Sequence, residues 1–340
     1  MLNLNTLQKI SIKLIQNDFR FIFTVVKNYP NIGGNYFVAL FPYFGLITDG
    51  AEDWLKAFNN SSKQIINATL FNPEQQNFFE KMRESIKLWD NDYDTVFTEL
   101  EEKYSESDLY YSTVCKPIAK ALHLYDIFGA YVANNKYCGN TILSGCYVPY
   151  YKIGDDNGEV IRRMSEMTGY YTVIFNATSC YKTNPTFSFD GDHDYGGLVN
   201  SPVGNHFSDK FVLFSILCQI NFIVECVDGF IVEEVSTKLR MSYLLYFYLL
   251  KIIPQINEKL NTTFTVNNKW YSDKFRNAMA HYKMGIALKE HEIVYDDLFF
   301  GLTQKYLNAD YYTAKNDIID YFGKLANQID NYLGLEGKII

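Results

Sequence analysis

From Phe211 to Val232 the chain is apolar enough, and about long enough, to span a membrane, and this segment limits the fold more than any other. Gln219, Asn221, Glu225 and Asp228 interrupt it. The last three stand at i, i+4 and i+7, so on a helix they draw one polar stripe along an otherwise apolar cylinder. An unpartnered carboxylate in lipid is costly. The pattern therefore predicts a helix buried on most sides within a protein, with its stripe turned to a cleft, and the membrane reading is rejected.

Helical pattern surrounds that segment. Ser208-Asp209 supplies an N-cap, and helices are expected at about 209–233, 236–260, 271–290 and 309–333, with a loop and a short turn near Asp296-Asp297. Four long helices with short connections predict an antiparallel up-and-down bundle. At the other end, Leu4 to about Lys27 suits a helix ended by Asn28-Tyr29-Pro30 and Gly33-Gly34, although the alternation from Ile10 to Leu14 also fits a strand. Residues 35–58 read as one or two helices interrupted at Pro42. Asn72-Pro73-Glu74 opens another, to about Trp89. Asp92 to Lys103 and Ser107 to Asn134 complete a helical N-terminal region.

Between Cys138 and Asp209 the character changes, as Gly, Pro, Asn and Asp accumulate around β-prone runs such as Tyr170-Tyr171-Thr172-Val173-Ile174-Phe175. One short helix, Gly158 to Met167, interrupts them. A stretch of this length exceeds an ordinary connection and implies a small insert with a hairpin or a binding loop. The expected protein is mainly α. It has a helical N-terminal region at 1–137, an irregular segment with short strands at 138–208, and a helical bundle at 209–340.

The composition suits a globular chain: of 340 residues, 48% are hydrophobic and 21% charged, a balance that argues against disorder. Aromatics are heavy, with 28 Tyr and 26 Phe, which fits thick helix packing, large interfaces, or simple compositional drift. A net charge of −8 and a pI near 5.2 count against a general DNA binder. The charge is uneven, however. Lys269, Lys274, Arg276, Lys283 and Lys289 face only Asp273 in their stretch, so that neighbourhood is electropositive. No two of the six cysteines have the spacing of a zinc or redox motif, and reduced thiols in a cytoplasm are expected. Lys9 and Lys13 precede an apolar stretch broken by Asp18 and Arg20, which does not suit a signal peptide.

That electropositive stretch holds Lys274-Phe275-Arg276-Asn277-Ala278-Met279-Ala280-His281-Tyr282, where an arginine, a polar amide and a histidine fall together in an expected helix. On such a helix Asn277 and His281 share a face, whereas Arg276 lies about 140° round and must curl its side chain to meet them. Ala278 and Ala280 are small enough to let a second helix approach. The arrangement suits a dimer that pools two arginines and two histidines. No second spacing of this kind occurs in the chain, so the partner is expected to be an identical copy.

Arg276-Asn277-Ala278-Met279-Ala280-His281 resembles the Arg-x4–6-His signature of the HEPN superfamily, helical-bundle ribonucleases and related binding domains in which a polar residue directly follows the arginine. The resemblance covers roughly 209–333. It implies metal-independent endoribonuclease chemistry with no cofactor, in which the RNA 2′-hydroxyl attacks the adjacent phosphodiester. His281 would move the proton and Arg276 would stabilise the developing phosphate charge, with Asn277 orienting the histidine or holding a phosphate oxygen. Lys274 and Lys283 would bind RNA. Glu225 or Asp228, if their stripe faces the cleft, would raise the histidine's pKa. Some HEPN toxins carry a modified tyrosine two residues after the histidine. Lys283 stands there in this chain, so that control is not carried over. The chain length resembles larger abortive-infection or anti-phage proteins, which implies a cytoplasmic toxin or defence effector acting as a homodimer, with an antitoxin or a phage-derived trigger as partner. The alternative is a non-catalytic HEPN-like binding or sensor protein that works through protein or RNA partners.

Other sequences weigh less. Asp190-Gly191-Asp192-His193-Asp194 begins like a calcium loop, but Tyr195 and Ser201 occupy positions that need Gly and Glu, and a solvated acidic turn is expected. A metal site from His193 and His206 has little support. His123 reads as packing and His291 as solvent-exposed. Gly33-Gly34 and Gly196-Gly197 lack the residues of a phosphate loop. Tyr243 to Leu250 is a buried helix face or a dimer seam.

Overall fold

Helices carry most of the chain in the computed structural model, which describes residues 4–62, 65–114, 118, 121–122, 126–148, 157–196, 201–204, 206–282, 288–295 and 297–335. Helix α1, Thr6–Lys27, opens on a capping box between Asn5 and Gln8. Helix α2, Tyr29–Ser61, is one continuous helix that absorbs Pro42 rather than two broken there, at the loss of one backbone hydrogen bond. Helix α3, Pro73–Glu84, starts where Asn72-Pro73 marks it, with a second capping box from Asn72 to Gln75, and tightens into a 3-10 turn over Ser85–Asp90. Helix α4 spans Tyr93–Val114.

The helix expected from Ser107 to Asn134 is corrected here: its first part belongs to α4, and Asp126–Ala133 is strand β1. Asn134 and Asn135 explain the difference. Both take positive φ, 47° and 60°, and form the two-residue turn of a hairpin to β2, Lys136–Asn140. Strand β3, Phe189–Gly196, pairs antiparallel with the other edge of β1, giving the order β2–β1–β3. The acidic run Asp190 to Asp194 is therefore extended strand, not a turn.

Helix α5, Thr141–Tyr147, follows the hairpin. Helix α6, Asn157–Ile174, overturns the strand expected at 170–175. Its aromatics have partners that reward a helix: Tyr171 stacks on Phe71 at 5.7 Å, and Phe175, just past the end, stacks on Phe19 at 5.9 Å. Burial outweighs the intrinsic β preference.

In the C-terminal part, α7 spans Asp209–Asn221 and runs on as a π-helix over Phe222–Asp228. Helix α8, Ser236–Leu260, and helix α11, Tyr311–Leu333, fall where periodicity puts them. Helix α9 is only Asp273–Met279, far shorter than the expected 271–290. Helix α10, Leu298–Leu307, occupies what was expected as loop, with Asp297 as its N-cap. The segment Asp209–Asp228 has the length and hydropathy of a membrane span, but 78% of its apolar window is buried inside the protein.

Helix α8 is the centre. Every residue from Ser236 to Leu250 is buried, including the aromatic run Tyr243 to Tyr248, and it packs on α1, α9, α11 and the 3-10 turn after α3. The core built on it runs from Ile10 to Leu335 and draws side chains from all three stretches of the sequence.

Two glycines of α2 set how closely its neighbours approach. A Cβ at Gly45 would lie 2.6 Å from Met82 Cβ and 2.7 Å from the Arg83 nitrogen, and one at Gly50 would lie 2.9 Å from the Tyr282 ring. Gly45→Ala is expected to push α3 off α2 and cost about 1–3 kcal/mol by overpacking, a loss that urea denaturation would detect.

Candidate functional site

The motif residues are held by two arginines distant in sequence. Ser272 caps α9 by accepting from the Phe275 amide, and Phe275 and Met279 point into the core. The helix then stops because its last carbonyls are taken. Arg240 Nε donates to the Met279 carbonyl at 2.6 Å, and Arg83 Nη2 donates to the Ala280 carbonyl at 2.9 Å. Cationic donors at a helix C-terminus satisfy its orphan acceptors and suit its dipole. His281 thus lies beyond the helix. It does not share a helix face with Asn277, whose Oδ1 accepts instead from Arg276 Nη1 at 3.0 Å. Asn277 is placed to steer the arginine, not the imidazole.

Beneath this segment lies a buried ionic cluster. Asp18, on α1, accepts from Thr237 Oγ1 at 2.5 Å, from the Tyr282 hydroxyl at 2.5 Å and from the Arg240 guanidinium. All four residues are essentially without solvent contact. The Arg240 guanidinium also lies 4.3 Å from the Tyr282 ring centroid. Burial pushes the Tyr282 phenol well above its ordinary pKa, against the pull of the Arg240 charge, so the hydroxyl remains a donor.

Above the segment opens a cleft of about 290 Å³. Its walls are Asp49 and Asp53 of α2, Gln76, Glu80, Arg83 and Glu84 of α3, Lys87 of the 3-10 turn, Tyr248 of α8, and Arg276 and His281. Arg276 and His281 therefore do meet in one cleft. Arg276 is half-buried, with its guanidinium 5.2 Å from the Phe247 ring and 5.8 Å from the Tyr248 ring. Among the described residues no carboxylate pairs with it, and its buried Nε has no hydrogen-bond partner. Arg83 is differently placed. Its Nη1 lies 2.6 Å from Asp49 Oδ2, and its Nη2 lies 2.7 Å from His281 Nδ1 and 3.2 Å from Nε2.

Asp49 is buried and takes a further hydrogen bond from Gln76 at 3.1 Å. Burial, and then repulsion by Asp49, push the neighbouring Asp53 carboxyl upward. Burial pushes the Tyr248 phenol up to about 12, although Arg276 pulls it back.

The remaining expected site residues are elsewhere. Lys274 is exposed on α9 and does not line the cleft, and Lys283 lies outside the described residues. Glu225 and Asp228 are corrected, because neither faces His281. Glu225 binds Lys136 at 2.7 Å and Asn134 at 2.9 Å, beside the hairpin turn, and Asp228 binds Lys315 at 2.6 Å. The helix that carries them widens to π geometry at Phe222, so an α-helical stripe cannot be extrapolated past Asn221. His291 is exposed on a 3-10 turn and His206 is exposed ahead of α7, while the side chains of His123 and His193 lie outside the description.

Reading the sequence for motifs missed Arg83, Asp49, Asp53, Lys87 and Tyr248. The one signal was a charge out of place: Asp49 follows the apolar stretch Phe44-Gly45-Leu46-Ile47 of α2, as Asp18 interrupts α1. Comparison of the chain with family models, with curated proteins and with solved structures finds no match.

Proposed function

We propose that the chain is a metal-independent endoribonuclease of HEPN type, with Arg276 and His281 as its catalytic pair. One observation carries the reading: a guanidinium with no carboxylate partner among the described residues and an imidazole line the same open cleft. A phosphodiester entering it would find the free donors of Arg276, with the cation of Lys87 at the wall. His281 takes the proton from the 2′-hydroxyl, and the 2′-oxygen bonds to phosphorus as the bond to the 5′-oxygen breaks. Arg276 stabilises the charge on the non-bridging oxygens. The leaving 5′-oxygen takes up a proton from solvent water, and the products are a 2′,3′-cyclic phosphate and a 5′-hydroxyl. Asn277 steers Arg276, and Lys274 extends the RNA contact along α9.

The same reading takes α7, α8, α9 and α11 as a HEPN-like bundle, supported by the packing of α8 on α9 and α11 and of α11 on α7. It extends to a homodimer in the cytoplasm that serves as a toxin or anti-phage effector under an antitoxin or a phage-derived trigger. A second reading, a non-catalytic binding or sensor protein, draws support from Asp53, Glu80 and Glu84. These carboxylates share the cleft and would repel an RNA backbone.

Purified protein incubated with transfer and total RNA in EDTA separates the two. Wild type is expected to leave cyclic-phosphate ends, and His281→Ala to cut at least about 100-fold more slowly. Intact RNA with wild type, or equal cleavage by His281→Ala, removes the nuclease reading. Binding without cleavage supports the second.

A further inference from the structure

Arg83 reaches the motif from α3, 198 residues away in sequence from His281. Both of its terminal nitrogens are committed. Nη1 is on the Asp49 carboxylate, and Nη2 lies between the Ala280 carbonyl and the His281 ring. A planar fork held along both edges has a fixed orientation, which a single flexible ammonium could not reproduce. Asp49 is itself held, by burial and by Gln76. Gly45 lets the backbone at Arg83 come against α2, so the contact is set by main-chain packing and not by side-chain reach alone.

We propose that Arg83 is the positioning residue for His281: from the opposite wall of the cleft it fixes the imidazole and the backbone that carries it, while Asp49 fixes Arg83. This rests on the reading of the cleft as a nuclease site and assigns its two arginines different work. Arg276 meets the phosphate, while both terminal nitrogens of Arg83 are already engaged, by Asp49 and by the Ala280-His281 segment. A guanidinium has only donors, so the ring nitrogen it touches is the acceptor. A cation this close also disfavours a second charge on the ring, so Arg83 holds the imidazole neutral, and the nitrogen it occupies is open to a proton only once that contact is given up. The other charged or titratable groups facing that cleft are Asp49 and Asp53 from α2, Glu80 and Glu84 from α3, Lys87 from the 3-10 turn, Tyr248 from α8 and Arg276 from α9. Arg83 stands against the imidazole with Asp49 behind it.

The test uses the full-length protein with Arg83→Gln, and with Asp49→Asn/Arg83→Gln, in which no buried carboxylate is stranded. Histidine ring signals are followed by long-range proton–nitrogen NMR across pH, with the His281 signal identified by its loss in His281→Asn. RNA cleavage is measured alongside. In Arg83→Gln the His281 midpoint is expected to rise, and in both variants kcat is expected to fall at least about tenfold with KM changed less than about threefold. An unmoved midpoint in Arg83→Gln and unmoved kcat in the folded double variant overturn the assignment. Cleavage that needs His281 but ignores Arg83 removes the positioning role and leaves the nuclease. A shifted midpoint in a wild-type protein that cuts no RNA supports the positioning of His281 and removes the nuclease.

Discussion

Arg240→Met is expected to lower folding stability by about 3–5 kcal/mol and to abolish the activity of the cleft with it. The stability loss follows from what would be left behind. Asp18 is fully buried, and Arg240 is the cation that neutralises it. Thr237 and Tyr282 would still donate to Asp18, but two neutral hydroxyls do not replace a charge in that environment. The activity loss has a separate cause. Arg240 Nε holds the Met279 carbonyl and its guanidinium lies over Tyr282, so the residues on either side of Ala280-His281 both depend on it. Without it the end of α9 keeps only the Arg83 contacts at Ala280 and His281, and the backbone beneath the imidazole loses its buried support. Urea denaturation of Arg240→Met beside Asp18→Asn/Arg240→Met separates the effects. The double variant should regain most of the stability, because the stranded charge is gone, but should remain inactive. Equal destabilisation of both variants would mean that packing, not charge, holds the cluster.

The elements that could be read from the sequence are those whose signals are local. Helix α8 declares itself by a long apolar and aromatic run that needs no partner to interpret, and α3 by Asn72-Pro73 with Gln75. Helix α11 begins at Asp310, whose side chain accepts from Thr313, and ends at Gly334 with φ of 65°. The misread elements are those whose geometry is imposed from a distance. Nothing within 271–290 announces that α9 ends at Met279, because its C-terminal donors come from α3 and α8. Tyr170 to Phe175 has strand-forming residue types, and packing on the distant rings of Phe19, Trp54 and Phe71 favours the helix. The candidate site divides in the same way. Arg276 and His281 stand close enough in sequence to be seen as a pair. Arg83 and Asp49 have no spacing relative to them that a motif could encode, and they meet the pair only through the packing of α2 on α3.

Arg276→Ala should behave as the opposite of Arg240→Met, with a large loss of cleavage at almost unchanged stability. Both residues are arginines near one short helix, yet only one is bound to a carboxylate. Removing Arg276 strands no charge among the described residues and gives up a hydrogen bond to exposed Asn277 and contacts with the Phe247 and Tyr248 rings. Those contacts are worth about 0.5–1 kcal/mol at a partly exposed position. If the guanidinium meets the phosphate, its loss removes transition-state stabilisation of about 10²–10³ in kcat, the scale of deleting one preorganised donor. Arg276→Lys should recover little of this, since a single ammonium cannot place two donors on one phosphate from a helix that begins only one turn earlier. Single-turnover cleavage and a urea midpoint on the same preparations decide the matter. A large drop in the midpoint with Arg276→Ala would mark this arginine as a structural cation like Arg240. Full cleavage by Arg276→Ala would place the phosphate contact on Lys87 or outside this cleft.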